Sequence, residues 1–258
     1  MISHERAMER RGFLKGTLGA ASLVALAGCD KLTQSSWFPS ILSQTEKLTE
    51  RVQRAITPAN ALAKEYGEAD ISKVFPANGN TDPGTEAYAE HLANNFSDWT
   101  VEVGGLVQTP MSWSLAALKE LPARTQITRH DCVEGWSAIG KWSGIPLGDL
   151  IRQVTPLPNA KFAVFHCADV DEEGVSYYES MALADCYHPQ TILAYELNGK
   201  PLDVPHGAPV RLRFERQLGY KQAKYVMKVE LVETLSGTAG GKGGYWEDDQ
   251  GYEWYAGI

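Results

Sequence analysis

"CVEGWSAIGKWSGIPLGDLI", Cys132 to Ile151, sets one thiol beside two tryptophans, Trp136 and Trp142, and just after Arg129 and His130. A thiol in that setting has four open roles: a buried structural group, half of a disulfide, a nucleophile or a metal ligand. The second half, "IPLGDLI", reads as a helix opening on Pro146, a residue favoured in a first helical turn. The rest of the chain has to decide among the roles of Cys132.

Working outward, the neighbouring segments read as a mixture of strands and short helices. "WTVEVGGLV" (Trp99–Val107) alternates like a strand that ends in a Gly-Gly turn. "SLAALKEL" (Ser114–Leu121) is a short helix stopped by Pro122. Strands are expected over Gln126–Cys132, Lys161–His166, Thr191–Leu197, Val210–Phe214 and Tyr225–Val232. No regular strand–helix–strand alternation runs through them, so the class is α+β rather than a doubly wound sheet.

Farther out lie segments of other character. Ile41 to Tyr66 has a helical apolar period that Pro58 must break. "FPANGNTDPGTE" (Phe75–Glu86) is an Asn/Gly/Pro loop taken as the run-in to the domain. The tail "GTAGGKGGYWEDDQGYEWYAGI" (Gly237–Ile258) holds Tyr245, Trp246, Tyr252, Trp254 and Tyr255. That is too much ring surface for a free end, so the tail should pack against the domain or a partner. The expected boundaries are 1–28, an export signal; 29–90, a tether and helical run-in; 91–235, the main domain; and 236–258, the tail.

The N-terminus reads as an address. "ERRGFLKG" (Glu9–Gly16) precedes "TLGAASLVALAGC" (Thr17–Cys29), a charged segment before a short apolar one. The Arg10-Arg11 pair resembles a twin-arginine signal, which exports folded proteins, and "LAGC" resembles a lipobox ending at Cys29. A periplasmic location with a lipid anchor at Cys29 is the resulting expectation.

Charge excludes one class of function. The net charge is -8. Residues 1–28 carry Arg6, Arg10, Arg11 and Lys15 against Glu5 and Glu9, which leaves -10 for the rest. An acidic body without a basic stripe does not fit nucleic-acid binding.

The cysteines are Cys29, Cys132, Cys167 and Cys186. If Cys29 is lipidated, three remain, which does not suit a simple disulfide framework. Cys167 and Cys186 read as core thiols or a mutual pair. No zinc-type spacing, P-loop, G-x-S-x-G elbow or C-x-x-C-H haem motif occurs. Arg211 and Arg213 fall on one face of their strand by alternation, with Arg213 and Glu215 expected in solvent.

Four ordered blocks then carry a resemblance: "NNFSDW" (Asn94–Trp99), the Cys132–Ile151 segment, "ILAYELNGKPLDVPHGAPVRLRF" (Ile192–Phe214) and "LGYKQAKYVMKVEL" (Leu218–Leu231). Together they resemble the sulfite oxidase family of molybdopterin-dependent oxidoreductases, in particular its bacterial methionine-sulfoxide reductase branch. The resemblance implies the mixed-sheet fold of that family and a molybdenum–molybdopterin cofactor bound through Cys132. It further implies cofactor contacts from Asn94, Cys167, His206, Arg211, Gln222, Ala223 and Lys224, with Tyr177 as an active-site tyrosine. Cys167 stands where the reductases carry threonine, a departure that leaves its role open.

The same resemblance points to oxygen-atom transfer. The sulfite oxidases' "CAGNRR" is replaced by "CVEGWS", which favours a reductase acting on sulfoxides over a sulfite oxidase or dehydrogenase. A non-catalytic cofactor-binding envelope protein is the other alternative. The partners implied are a small-molecule substrate and an electron-transfer protein, such as a membrane cytochrome or a quinone-linked subunit.

Overall fold

The computed structural model describes residues 38–258; the twin-arginine pair and Cys29 lie outside the described residues. The described residues divide after residue 55 into two units. The first holds helix α1 (Phe38–Ile56), which ends two residues ahead of Pro58. Proline lacks the amide a helix interior needs and disfavours helical geometry before it, so the long period read from the sequence stops there.

The second unit holds ten strands. β1 (Thr100–Gly105), β2 (Met111–Ser114), β5 (Phe162–Val170), β6 (Ser176–Ala182) and β10 (Val226–Val232) form one sheet, ordered β2-β1-β10-β5-β6. β3 (Arg124–Asp131), β4 (Ser137–Pro146), β7 (Thr191–Leu197) and β8 (Lys200–Pro201) form another in that order, and β9 (Arg211–Phe214) also pairs with β7. β1 and β10 run parallel while the other pairings are antiparallel, so the first sheet is mixed. Short helices intervene: α2 (Glu86–Ala93), α3 (Leu115–Lys119), α4 (Leu147–Val154), α5 (Leu183–Cys186) and α6 (Tyr245–Asp249).

α4 shows how the core is joined. Leu147, Leu150, Ile151 and Val154 recur at helical spacing, and all four are fully buried. They share one apolar cluster with Val101 and Val103 of β1, Phe165 of β5, Leu193 of β7 and Leu212 of β9. Each buried aliphatic contributes about 2 kcal/mol, so this helix binds the two sheets into one core.

β4 was not legible as a strand. Its buried positions alternate through Ala138, Gly140 and Trp142, a small–small–large series with little apolar signal. The glycines are there for close approach. A Cβ at Gly144 would lie 2.1 Å from the Leu193 carbonyl of β7, and one at Gly140 would meet the Phe75 ring at 3.1 Å.

One expectation is corrected. Arg213 and Glu215 are not in solvent: both are buried, joined by two hydrogen bonds of 3.0 and 2.6 Å. The guanidinium is masked from water by the Trp142 ring 4.2 Å away and by His130 Nδ1 at 3.0 Å, so charge pairing and a π face replace hydration. Cys167 and Cys186 are free and buried, the core-thiol alternative rather than the mutual pair.

The tail is integral to the unit. Trp254 Nε1 donates to Ser180 Oγ (2.8 Å), and Ala256 N donates to Gln217 Oε1 (2.7 Å). Lys221 is buried between Glu179, which it bonds, and Glu247, at 2.6 Å from the latter. Burial, partly offset by Lys221 and reinforced by Glu247, pushes Glu179 well above the usual carboxylate range. No helix among the described residues is long and apolar enough to cross a membrane.

Candidate cofactor and substrate cavity

Cys132 leaves the end of β3 in a tight turn. Cys132 N takes the Trp136 carbonyl (2.9 Å), Gly135 N takes the Cys132 carbonyl (3.1 Å), and Gly135 holds φ +88°. That backbone conformation suits glycine, and it projects the Cys132 sulfur into a cavity of about 590 Å³. The thiol is 7% exposed and accepts a hydrogen bond from Asn78 Nδ2 at 3.3 Å. Burial pushes its pKa up.

Tyr177, Arg211, Gln222 and Lys224 line the same cavity as Cys132. Tyr177, on β6, donates to the Tyr220 carbonyl at 2.7 Å, and burial, reinforced by Glu179, raises its pKa well above the usual value. Arg211, on β9, donates to the carbonyls of His206 (2.9 Å) and Gln222 (3.1 Å) and lies 5.2 Å from the Trp142 ring. Lys224 donates to the carbonyls of Asn78 (2.9 Å), Pro205 (3.1 Å) and Asn80. Burial, with Arg213 beside it, lowers Arg211 to about 9; burial, with Arg211 beside it, lowers Lys224 to about 7.

The other expected site residues lie outside the lining. Asn94 caps the end of α2 and accepts from Ser97 N at 3.2 Å. Cys167 packs in the apolar core on β5. His206 is held by Asp203 Oδ1 at 2.5 Å and the Phe75 carbonyl at 2.9 Å, and it reaches the site through its own carbonyl on Arg211. Ala223 is buried and contributes its carbonyl to Leu212 N at 2.8 Å.

Several lining residues were not anticipated. Asn78 and Asn80 come from the loop read as a run-in. Its amides and carbonyls bind Cys132, Val170 and Lys224, whose contacts are remote in sequence and therefore invisible to a local pattern. Asp169 follows β5's alternation into the cavity. Burial raises it to about 6. Tyr245, Trp246 and Tyr252 of the tail form part of the wall, with Trp246 and Tyr252 stacked at 5.9 Å. The ring density of the tail was the available signal.

The cavity's polar atoms fit a polar, anionic cofactor. Arg211 Nε, Gln222 Oε1 and Asp169 Oδ1 are buried without a hydrogen-bond partner, one donor and two acceptors on lining residues. A bicyclic amide-rich ring with an attached phosphate offers both kinds of partner. Arg211, lowered by burial and by Arg213, and Lys224, lowered by burial and by Arg211, would both be relieved by an anion.

Residues 89–239 match the family described as "Oxidoreductase molybdopterin binding domain". The chain belongs to that family. Similar to it is the "Putative protein-methionine-sulfoxide reductase subunit YedZ1" of Azospira oryzae, 39% identical over 248 residues, 96% of this chain and 87% of the relative. The "Protein-methionine-sulfoxide reductase catalytic subunit MsrP" of Xanthomonas axonopodis pv. citri is 36% identical over 67% of this chain; the chain spans 54% of that relative's length. Among solved structures, the sulfane dehydrogenase SoxCD from Paracoccus pantotrophus overlaps 54% of this chain and 39% of its own, at 20% identity and a TM-score of 0.48. The protein is thus a molybdopterin-binding oxidoreductase with the expected α+β fold.

Proposed function

We propose that this protein is an exported molybdenum-cofactor enzyme that reduces sulfoxides, with Cys132 as the thiolate ligand of the metal. The observation that carries the reading is Cys132 itself, a thiol directed into a cavity beside buried cations and unpartnered polar atoms. When bound, the cofactor would supply two-electron redox chemistry and an acceptor for the transferred oxygen. The relatives named methionine-sulfoxide reductases support the direction.

The chain's own residues do the positioning. Arg211, Lys224 and Gln222 would hold the phosphate and the polar edge of the pterin. Coordination would keep the Cys132 thiolate deprotonated against the upward push of burial. Asn78 Nδ2 donates to that sulfur and would orient it. Asn94, Cys167, His206 and Ala223 act in this reading through packing and backbone contacts near the site. Tyr177 borders the substrate space.

Reduction of a sulfoxide breaks the S–O bond and consumes two electrons and two protons, giving a sulfide and water. A separate electron-transfer protein, a membrane cytochrome or quinone-linked subunit, is the proposed electron source. Export by the twin-arginine route to the periplasm, with an anchor at Cys29, completes the reading.

The test is metal and pterin analysis of protein exported from a cofactor-competent host, followed by dye-driven assays. Wild type should contain molybdenum near one per chain and reduce methionine sulfoxide. Cys132→Ala should fold with the same melting profile and lose the metal-linked activity. Rapid sulfite oxidation without any sulfoxide reduction would overturn the assigned direction, and a folded wild type free of molybdenum would overturn the cofactor.

A further inference from the structure

The cavity lining is acidic. Asp82, Glu134, Asp169, Asp171 and Glu172 all border it, against the cations Arg211 and Lys224. Both cations have donors committed to main-chain carbonyls. Asp169 is 3% exposed, and its Oδ1 has no partner, so a buried acceptor stands open on the cavity wall. Asp82, Glu134 and Glu172 are exposed at the mouth.

Aromatic faces accompany the carboxylates. Asp171 Oδ2 accepts from the Tyr245 hydroxyl at 2.7 Å, fixing that ring 5.6 Å from Tyr177. Tyr252 stacks on Trp246 and meets Tyr220 at 5.0 Å. Carboxylates interleaved with ring faces attract cations twice over, by Coulomb attraction and by the ring quadrupole. At the mouth that field repels anions, whereas Arg211 and Lys224 on the inner wall attract them.

We propose that the mouth selects its substrate by charge: a methionine sulfoxide carried on a lysine- or arginine-bearing segment of polypeptide, with Asp82, Glu172 and the Tyr245–Trp246–Tyr252 wall determining specificity. This rests on the sulfoxide-reductase reading. A free methionine sulfoxide is a zwitterion of zero net charge, which the mouth neither draws in nor repels strongly. In a polypeptide both charged groups become neutral amides, and the neighbouring side chains supply the positive charge.

The experiment uses the metal-loaded enzyme with a reduced viologen dye as electron donor. Its substrates are acetyl-Ala-Lys-Met(O)-Lys-Ala-amide, the matching peptide with Glu in place of Lys, and free methionine sulfoxide. In low salt, kcat/KM for the lysine peptide should exceed that for the glutamate peptide by about tenfold or more, with free methionine sulfoxide between them. At ~0.5 M salt the gap should shrink to about twofold. Glu172→Lys should narrow the low-salt gap by roughly three- to fivefold, because it reverses one charge at the mouth. Calorimetric binding of the reduced, methionine-containing peptides gives the same comparison without turnover.

Equal kcat/KM for the two peptides would overturn the proposal, as would a lysine preference that neither salt nor Glu172→Lys alters. If no sulfoxide is reduced while the lysine peptide still binds more tightly than the glutamate peptide, the assigned reaction falls and the charge selection stands.

Discussion

Lys224 bonds three backbone carbonyls yet titrates near 7, because burial and the adjacent Arg211 both oppose its charge. The unfolded lysine keeps its proton to about 10.5. Between those values the unfolded chain binds more protons than the folded one, so the stability of the cofactor-free protein should rise with pH across that window. The gain, screened at a partly open site, should be on the order of 2 kcal/mol. Lys224→Met should abolish it, as measured by urea unfolding at pH 7 and pH 10. Added inorganic phosphate should raise the melting temperature of the cofactor-free wild type more than that of Lys224→Met, since an anion partners the ammonium.

The Cys132 thiol and the Arg211–Lys224 pair were readable in the sequence only through the ordered blocks around them. Their types and order survive in the chain, but nothing local says that they meet. Asn78 shows why the remainder was hidden. Its partners, Cys132 and Lys224, are separated from it by 54 and 146 positions, and an asparagine in a Gly/Pro-rich loop looks like ordinary turn chemistry.

Among elements, β4 separates what pattern can reveal from what contact requires. Thr191–Leu197 was legible because Ile, Leu and Tyr mark a buried strand, and the observed β7 has those same bounds. β4 instead spends its buried positions on glycines that let β7 and Phe75 approach. Gly144→Ala should therefore cost about 3 kcal/mol, since the new Cβ meets backbone that cannot yield. Gly140→Ala should cost less, because its nearest atom, 2.9 Å away, ends the flexible Leu197 side chain. Chemical denaturation of the two variants side by side distinguishes these outcomes.

Across the whole molecule, strands β1, β3, β5, β7, β9 and β10 were readable from their residue pattern and the joining helix from Pro146, whereas the placement of Arg213, Glu215 and Lys221 in the interior was not. Charged residues on a strand read as solvent-facing until their partners are known, and those partners lie on other elements. For Lys221 the partners are Glu179 and Glu247, two carboxylates that share one ammonium. Burial pushes the Glu179 carboxyl well up, so Glu179→Gln, which mimics its protonated form, should be tolerated within about 1 kcal/mol. Glu247→Ala should cost about 3 kcal/mol by opening a void beside buried charge. Thermal unfolding of both variants checks the difference.

The tail's place in the cavity wall carries a consequence for the order of events during synthesis. Tyr245, Trp246 and Tyr252 follow all ten strands in the chain, so both sheets and the Cys132 turn can emerge before the wall is made. Until then the cavity stands open along one side. Of the residues that line the cavity these three come last in sequence, so its wall is finished only when the tail docks on the sheets.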